Sequence, residues 1–303
     1  MDILGLIRTF VRVVEAGSFT AVAGERNISQ PTISRQVAAL EDHLGARLFT
    51  RSTRSLALTD DGRAFYDQAL RALESVREAE NAVGRRRAGP TGTLRLATSV
   101  VFGRLHIVPR LPRFLERYPD ISIDLVLNDG TTDLVEEGID LAIRVGAISD
   151  PSLIARRIGI SHRVAVAAPA YIKARSAPRT LDDLKDHDCI IYTRLASGSA
   201  WTFIVGGGPI TVPVRGRYRV NNTEGVRAGV FAGLGIGLIP TFHFGDEIET
   251  GQIMVVLEDH EPEAMPIVAV YPSRRFVPLK VRAMIDYLVE EFRLDPRLSD
   301  QVV

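Results

Sequence analysis

Apolar residues recur at intervals of three and four positions in the first part of the chain, the spacing of one buried helical face. The first such series predicts a helix and consists of Ile3, Leu6, Ile7, Phe10 and Val14. Gly17 ends this helix, and Ser18 is placed to cap a second, shorter helix that Asn27 ends. The pattern therefore predicts two helices separated by a tight connection.

A third helical segment follows, in which SQPTISRQVAALE covers residues 29–41. Ile33, Val37 and Leu40 form its apolar stripe, and a rotation of about 100° per residue places Arg35 on the opposite face. A helix with such a thin polar face fits the major groove of DNA, where an arginine can bond to guanine. An ordinary amphipathic surface helix has the same pattern, so the segment alone leaves both interpretations open.

Residues 48–59, LFTRSTRSLALT, alternate apolar and polar positions and predict a small β-hairpin with Arg51 and Arg54 near its tip. Two helices joined by a tight turn form a helix-turn-helix, and a hairpin beside its second helix forms a wing. The two arginines would then bind phosphates or the minor groove. The alternative is that they are solvated charges on a turn. The N-terminal part is therefore predicted to be an all-α winged helix-turn-helix.

Residues 60–83 predict one long helix with acidic residues in its first turn, where the helix dipole favours them. Its apolar residues fall on the a and d positions of a heptad: Tyr66, Ala69, Leu73, Val76 and Val83. This face either packs on its own domain or pairs with a second copy of the chain. The Gly-, Pro- and Arg-rich residues 84–90 then read as a linker.

From residue 92 onwards short β-strand patterns alternate with helical ones, including a predicted helix around residues 131–138 and a last helix at 277–292. This alternation predicts an α/β domain with largely parallel strand pairing. We predict three regions: a winged helix-turn-helix at 1–59, a linker and dimerisation helix at 60–91, and a domain at 92–303. The last is predicted to have two lobes, one at about 92–162 and 266–303 and the other at about 163–265, with a ligand cleft between them.

Composition supports a soluble globular protein, with 46% hydrophobic and 24% charged residues. Lys plus Arg and Asp plus Glu are equal at 37 each, but residues 26–54 contain five arginines and two acidic residues. Cys189 is the only cysteine, which excludes an intramolecular disulfide and favours a reducing compartment. Neither a signal peptide nor an apolar run long enough to span a bilayer is apparent. We therefore expect a cytoplasmic protein with no membrane partner.

The N-terminal residues resemble those of LysR-type transcriptional regulators over more than forty positions. The matching motifs, in order and spacing, are Ser18-Phe19-Thr20, Ser29-Gln30-Pro31, Ser34-Arg35-Gln36, Leu40-Glu41, Leu44-Gly45, Leu48-Phe49, Arg51 and Leu58-Thr59. The rest of the chain has a similar layout, with a linker helix and a two-lobed effector domain like periplasmic binding proteins. VNN at 220–222 and YPSRR at 271–275 are similar to the subgroup that includes the meningococcal adhesion regulator.

The resemblance implies a bacterial, sequence-specific DNA-binding regulator that associates with the nucleoid, reads an inverted-repeat promoter site and assembles as a homodimer or homotetramer. It assigns DNA binding to Gln30, Pro31, Thr32, Ser34, Arg35, Arg51 and Arg54. The heptad pattern assigns dimerisation to Tyr66, Leu73 and Val76. One position departs from the family, because Arg26 stands where members usually carry a buried leucine. Its alkyl stem could cover the core while its head reaches outwards, towards phosphate.

The same resemblance places an effector pocket between the ends of two strands that lead into helices. It assigns effector binding to Ser99, Val100, Asn128, Arg144, Thr202 and Asn222. Free N–H groups at the two helix starts would attract an anion, and Arg144 could pair with a carboxylate. An aromatic carboxylate fits this pattern. The simpler alternative is that Ser99 and Asn222 only cap helices, and Trp201 and Phe203 either line the second lobe or lie in its core.

The sequence predicts no enzyme, no cofactor and no metal site. The six histidines are scattered singly, without the spacing of metal ligands, and Ser99 has no partner at the spacing of a hydrolase motif. The glycines of GLGIG at 233–237 follow a predicted helix, so a chain reversal explains them better than a nucleotide loop. The competing hypothesis is a solute-binding module of a transport or sensing system, against which the N-terminal segment counts.

Overall fold

The computed structural model of the chain describes residues 2–50, 56–83, 89–130, 133–146, 148, 150–195, 198–272 and 277–299. The chain forms two compact units, residues 1–88 and residues 89–303.

The N-terminal unit is built from helices whose ends agree with the capping residues in the sequence. The helices are α1 (Ile3–Ala16), α2 (Phe19–Glu25), α3 (Gln30–Leu44) and α4 (Asp60–Val83). Gly17 and Gly45 adopt left-handed φ values of 62° and 67° at the ends of α1 and α3, a conformation that favours glycine. The Ser18 hydroxyl accepts a hydrogen bond from the N–H of Ala21 and caps α2.

A single apolar cluster holds these helices together. Phe10 has no exposed surface, and its ring lies 5.5 Å from the rings of both Phe49 and Phe65. Ile33 and Leu40, on the apolar stripe of α3, are also fully buried in this cluster. The stripe read from the sequence is therefore the face that α3 turns towards the core.

A short antiparallel ladder follows α3, formed by β1 (Phe49–Thr50) and β2 (Ala57–Leu58). The nearly buried carboxylate of Glu41 accepts hydrogen bonds from the N–H groups of Leu48, at 2.8 Å, and Phe49, at 3.3 Å. Arg47 pairs with the same carboxylate at 2.7 Å. These bonds attach the ladder to the end of α3. Arg51 and Arg54, predicted at the hairpin tip, lie outside the described residues.

In the C-terminal unit, a five-stranded sheet forms the first lobe. Its strands are β3 (Gly92–Thr98), β4 (Ile121–Leu127), β5 (Leu141–Val145), β6 (Leu153–Ser161) and β15 (Met265–Pro272). The order across the sheet is β4-β3-β5-β15-β6, with β3 parallel to both of its neighbours and β15 antiparallel to both of its own. The late strand β15 thus returns the chain to the first lobe.

Helical segments cover this sheet. They are α5 (Val100–Phe102), a π-helical turn (Gly103–Ile107), a 3-10 turn (Val108–Arg110), α6 (Leu111–Arg117) and α9 (Leu279–Arg293). Residues on β3, β5, α6 and α9 share one buried cluster in which Phe114 and Phe292 have no exposed surface.

The predicted helix around residues 131–138 is wrong for residues 134–138, which form turns. The Asp133 carboxylate accepts hydrogen bonds from the N–H groups of Val135 and Glu136, so these donors are satisfied without a helix. Gly138 then adopts a left-handed φ of 61° that ends the turns.

The second lobe contains the strands between β6 and β15. They are β7 (Arg163–Ala167), β8 (Ile191–Tyr192), β9 (Ala200–Val205), β10 (Gly208–Pro213), β11 (Arg219–Val220), β12 (Gly237–Pro240), β13 (Met254–Val255) and β14 (Glu261–Pro262). Its helices are α7 (Pro169–Arg175), α8 (Thr223–Phe231) and the 3-10 turns Leu181–Asp186 and Thr241–His243.

The prediction of largely parallel pairing is correct for β3 with β4 and β3 with β5, but wrong for β15 with β5 and β6 and for most of the second lobe. There β9 pairs antiparallel with β10 and β14, and β7 pairs antiparallel with β12 and β13. A two-residue connection, Gly206–Gly207, joins β9 to β10, and so short a turn can join only antiparallel strands.

Candidate ligand residues inside the second lobe belong to its core. Trp201 is 3% exposed and Phe203 is fully buried, so both fit the alternative of core residues. Cys189 is buried as well, and burial raises the pKa of its thiol to about 12. The GLGIG residues connect α8 to β12, with left-handed φ values at Gly233 and Gly235, which is the predicted chain reversal. Among the described helices, none is both long and apolar enough to cross a membrane.

Candidate functional site

The first candidate site is the exposed face of α3. Gln30, Pro31 and Arg35 are exposed, and Thr32 and Ser34 are half-buried. Side chains on this face contact one another, since Gln30 Nε2 donates to Ser34 Oγ at 3.0 Å and Arg35 Nη2 donates to Thr32 Oγ1 at 3.4 Å. The face is therefore a short row of donors and hydroxyls opposite the buried stripe, as the periodicity predicts.

The Arg26 guanidinium bonds to α1 of its own unit. Its Nη1 donates to Thr9 Oγ1 at 2.7 Å and its Nη2 donates to the carbonyl oxygen of Arg8 at 3.3 Å. The residue is exposed nonetheless, and a contact of its head with phosphate stays a prediction.

The heptad residues of α4 divide between two environments. Ala69 is buried in the N-terminal core, and Tyr66 and Leu73 pack partly against the same core. Val76 is half-buried and lies outside that cluster. Packing on its own unit therefore explains Tyr66, Ala69 and Leu73, in the first half of α4, but it does not explain Val76.

The second candidate site is a cavity of about 250 Å³ in the C-terminal unit, lined by both lobes. First-lobe residues come from the ends of β3, β4 and β5, and second-lobe residues come from β7, β12 and α8. Apolar side chains form much of its wall: Phe102, Val145, Val226, Leu238, Ile239, Phe242 and Met265. Since ligand pockets commonly measure about 300–1,000 Å³, this cavity suits a small ligand.

Three of the six effector residues predicted from the sequence line the cavity, namely Ser99, Asn128 and Arg144. The other three, Val100, Thr202 and Asn222, are not among its lining residues. Thr202 lies on β9, where its hydroxyl bonds to that of Thr211 at 3.0 Å. The contacts of Val100 and Asn222 involve a residue that the sequence prediction missed.

That residue is Asp129, which follows β4 and lines the cavity. Its Oδ1 accepts a hydrogen bond from the N–H of Val100 at 3.1 Å, and its Oδ2 accepts one from Asn222 Nδ2 at 2.5 Å. Asn222 in turn caps α8 by accepting from the N–H of Gly225 at 2.9 Å. The N–H of Val100 and the amide of Asn222, which we expected to bind an external anion, therefore already bond to the carboxylate of Asp129. The sequence does contain a signal for Asp129, because this residue stands in LVLNDG, at a strand end where cleft residues commonly lie.

Three guanidinium groups also line the cavity, those of Arg144, Arg163 and Arg194. Against the single carboxylate of Asp129, they leave an excess of two positive charges among the lining residues. Arg163 Nε donates to the carbonyl oxygen of Glu263 at 2.7 Å, which fixes its side chain beside the chain crossing between the lobes. Burial lowers the pKa of Arg163 below its ordinary value.

Two buried polar side chains lie in the cavity wall without a hydrogen-bond partner among the described residues. They are the hydroxyl of Thr98, 4% exposed, and Nδ1 of His243, 7% exposed. Burial lowers the pKa of His243 to about 3, with Arg227 adding to the shift, so the ring is neutral near pH 7. Both atoms are themselves buried and have no contact with solvent.

Family comparisons agree with this arrangement. Residues 4–63 match the bacterial regulatory helix-turn-helix protein family of lysR type, and residues 87–293 match the LysR substrate binding domain. The chain belongs to the LysR family of transcription regulators.

Similar proteins extend over nearly the whole chain. The HTH-type transcriptional activator AaeR of Escherichia coli is 32% identical over 292 residues, which are 96% of this chain and 94% of that protein. CrgA of Neisseria meningitidis is 31% identical over 287 residues, covering 94% and 95%. The full-length structure of the Vibrio cholerae virulence activator AphB has a TM-score of 0.57 and 31% identity, covering 95% of this chain and 98% of that one.

The predicted fold and function are confirmed by these matches: the protein is a LysR-type DNA-binding transcription regulator with an effector-binding domain. Its relatives are regulators and not enzymes, which also confirms that prediction. The competing solute-binding module is set aside because the helix-turn-helix match covers residues 4–63. Within the LysR family, members bind DNA and small-molecule effectors and form oligomers.

Proposed function

We propose that this regulator controls transcription from an inverted-repeat promoter site in response to a small anionic effector with an apolar body, such as an aromatic carboxylate. The observation that carries the proposal is that one small cavity is lined both by apolar side chains and by Arg144, Arg163 and Arg194. The protein would act in the bacterial cytoplasm, associated with the nucleoid through its DNA site.

The arginines favour an anion at one part of the cavity only. Asp129 already bonds to the N–H of Val100, so an effector carboxylate placed there would face a second negative charge. A guanidinium offers paired donors in a planar arrangement that matches a carboxylate. We therefore assign the effector anion to the guanidinium groups and leave the helix start to Asp129.

The rest of the cavity suits a flat apolar body. Phe102 and Phe242 meet edge to face, with ring centroids 5.6 Å apart, and Val226 and Leu238 extend the apolar wall. A sugar would leave many hydroxyls against the apolar side chains, and a cation would be repelled by the arginines.

For DNA reading, we propose the exposed row on α3. Arg35 projects from the face opposite the buried stripe, where it can bond to guanine in the major groove while Gln30, Thr32 and Ser34 contact neighbouring bases or phosphates. Pro31 shapes the first turn of the helix. Arg51 and Arg54 are proposed as phosphate or minor-groove contacts from the sequence alone.

For assembly, we propose dimers, or tetramers made as pairs of dimers, through the heptad face of α4. Two copies of α3 would then read two half-sites separated by about one or more helical turns. Val76 supports this proposal, since it lies on the heptad face and outside the core of its own unit.

A footprint on the DNA upstream of its own gene tests the regulatory proposal. We expect protection of an inverted repeat, and a change in affinity or in the protected pattern when benzoate is added. Benzamide, which has the same shape but no charge, should leave the footprint unchanged. A footprint that changes with neither compound would contradict the proposed effector class. An absence of any protected DNA would contradict the proposed promoter site.

Thermal unfolding tests the role of the arginines directly, because a ligand that binds only the folded state raises the melting temperature. We expect benzoate to raise it for the wild type, and the shift to shrink in Arg144→Ala. The matched control is Arg156→Ala, since Arg156 is also in the first lobe but pairs with Asp286 on its surface at 2.8 Å. Equal shifts in the two variants would remove Arg144 from the effector site.

A further inference from the structure

A hydrogen bond between two charged or polar side chains joins the lobes at the edge of the cavity. Asp129 follows β4 in the first lobe and lines the cavity, while Asn222 precedes α8 in the second lobe. Asn222 Nδ2 donates to Asp129 Oδ2 at 2.5 Å. The two residues are 93 positions apart in the chain, so this contact exists only when the lobes are brought together.

The orientation of both side chains is set by other bonds. Asp129 Oδ1 is used by the N–H of Val100, at 3.1 Å, and Asn222 Oδ1 is used by the N–H of Gly225, at 2.9 Å. These two bonds leave Oδ2 of the carboxylate and Nδ2 of the amide to face each other. The contact therefore needs an acceptor at position 129 and a donor at position 222, and neither side chain can rotate without losing a helix-start contact.

We propose that the Asp129–Asn222 bond is a latch that holds the two lobes closed over the cavity in the absence of a ligand. A hydrogen bond to an ionised carboxylate is stronger than one between neutral groups, which makes this contact suited to the task. Opening the latch parts the lobes around the cavity, so the latch sets the balance between the closed and the open cleft to which a bound ligand responds. This last consequence rests on the proposed effector function, whereas closure of the lobes does not.

Exchanging the two residues gives a direct test of the latch. Asp129→Asn alone places two amide NH₂ groups opposite each other, and Asn222→Asp alone places two carboxylates opposite each other. Both changes break the bond. In the double variant, the amide introduced at position 129 can accept from the N–H of Val100 and donate to the carboxylate introduced at position 222. That carboxylate can still accept from the N–H of Gly225 and cap α8. The double exchange should therefore restore the bond with the donor and acceptor reversed.

The distance between the lobes is the measurement. Spin labels are placed at Arg282→Cys on α9, in the first lobe, and at Ala174→Cys on α7, in the second; both residues are exposed, and native Cys189 is buried. Full-length protein is used, with few labelled subunits assembled among unlabelled ones so that the distance is intramolecular. A pair at Glu116→Cys and Arg282→Cys, both in the first lobe, controls for changes within that lobe.

We expect each single exchange to lengthen or broaden the interlobe distance, the double exchange to return it to the wild-type value, and the first-lobe pair to stay unchanged. Asp133→Asn is the matched control, because the Asp133 carboxylate accepts from Val135 and Glu136 within its own turn. If Asn222→Asp does not fold, Asp129→Ala, which leaves the Asn222 cap intact, must lengthen the distance. An unchanged distance in the single variants, or no recovery in the double variant, overturns the latch.

Failure of the effector proposal gives a different result. The interlobe distances are measured without any ligand, so they test the latch whether or not benzoate binds. If benzoate does bind, its association should be faster in Asn222→Ala than in the wild type, because this change breaks the latch at a residue outside the cavity lining and removes no charge.

Discussion

The guanidinium of Arg26 donates a 2.7 Å hydrogen bond to the hydroxyl of Thr9, a residue with no exposed surface. The Thr9 hydroxyl also lies 2.8 Å from Gln36 Oε1, on α3, and 3.0 Å from the carbonyl oxygen of Gly5. One buried oxygen thus connects α1, the end of α2 and α3. Arg26, although exposed, stabilises the N-terminal unit through this contact.

Thr9→Val should destabilise the N-terminal unit by about 1–3 kcal/mol, because it leaves Gln36 Oε1 and one Arg26 N–H without their partner. Urea unfolding followed by far-ultraviolet circular dichroism measures the loss. The control Thr20→Val makes the same chemical change at an exposed position of α2. Arg26→Leu should cost less than Thr9→Val, since the single proton of the threonine hydroxyl keeps an acceptor in Gly5 O or Gln36 Oε1. A reversed order of these two variants would contradict the central role of Thr9.

Arg35→Ala should lower affinity for the specific DNA site by about 1–3 kcal/mol and relax discrimination at one base pair. Stability should hardly change, because the side chain is exposed. Binding to the wild-type site and to single-base variants measures both effects at a stated salt concentration. Arg8→Ala removes the same charge from an exposed position of α1 and should weaken all sequences alike, if it weakens any. Equal discrimination in Arg35→Ala and the wild type would remove Arg35 from base reading.

Replacing both Leu73 and Val76 by Asp should dissociate the dimers, because it buries charge in the proposed α4 seam. Leu73 also packs against the N-terminal core, so its change alone would weaken the fold as well. Val76→Asp is therefore the sharper variant, and we expect monomers with unchanged helical content. Light scattering and circular dichroism measure the two properties. Ala72→Asp adds the same charge on an exposed part of α4 and should leave the dimer intact. A dimeric double variant would refute the seam.

Stability of the C-terminal unit should fall as pH is lowered from about 7 to 5. Burial lowers the pKa of His106 to about 4, with Arg110 adding to the shift, and the ring is 2% exposed. Below its ordinary pKa of 6.5 the unfolded chain takes up a proton that the folded ring does not, so unfolding is favoured down to about pH 4. The expected loss from this residue is on the order of 1–2 kcal/mol by pH 5.

Denaturation followed by the fluorescence of Trp201, the single tryptophan, measures this dependence because Trp201 is buried in the C-terminal unit. His106→Phe keeps a ring between Phe102 and Phe242 and removes the titrating group. It should remove part of the pH dependence between pH 7 and 5 whatever its effect on stability at pH 7, and the part due to buried His243 should remain. His43→Asn, at an exposed position of the N-terminal unit, should leave the slope unchanged. An equal slope in His106→Phe and the wild type would argue against the buried histidine as its source.

Local patterns in the sequence determined much of the N-terminal unit. The bounds of α1 and α3 depend on apolar spacing and on glycines that adopt left-handed φ. The start of α2 depends on Ser18, whose hydroxyl bonds to the N–H of the residue three positions further on. Such interactions join residues within about one helical turn, so the sequence carries them without reference to the rest of the fold. The outward position of Arg35 follows from the same periodicity.

The tertiary structure alone decided which distant groups became partners. Sequence patterns predicted an α/β second lobe but gave the wrong direction for most of its strand pairs, because that direction depends on where short turns return the chain. They showed Val100 and Asn222 at helix starts, but not that Asp129 would bond to both and close the lobes. They likewise placed an arginine at position 26 but did not show that its guanidinium would bond to Thr9. A polar group on a fold bonds to whichever partner the topology brings within about 3 Å, and that distance is a property of the folded chain and not of its local sequence.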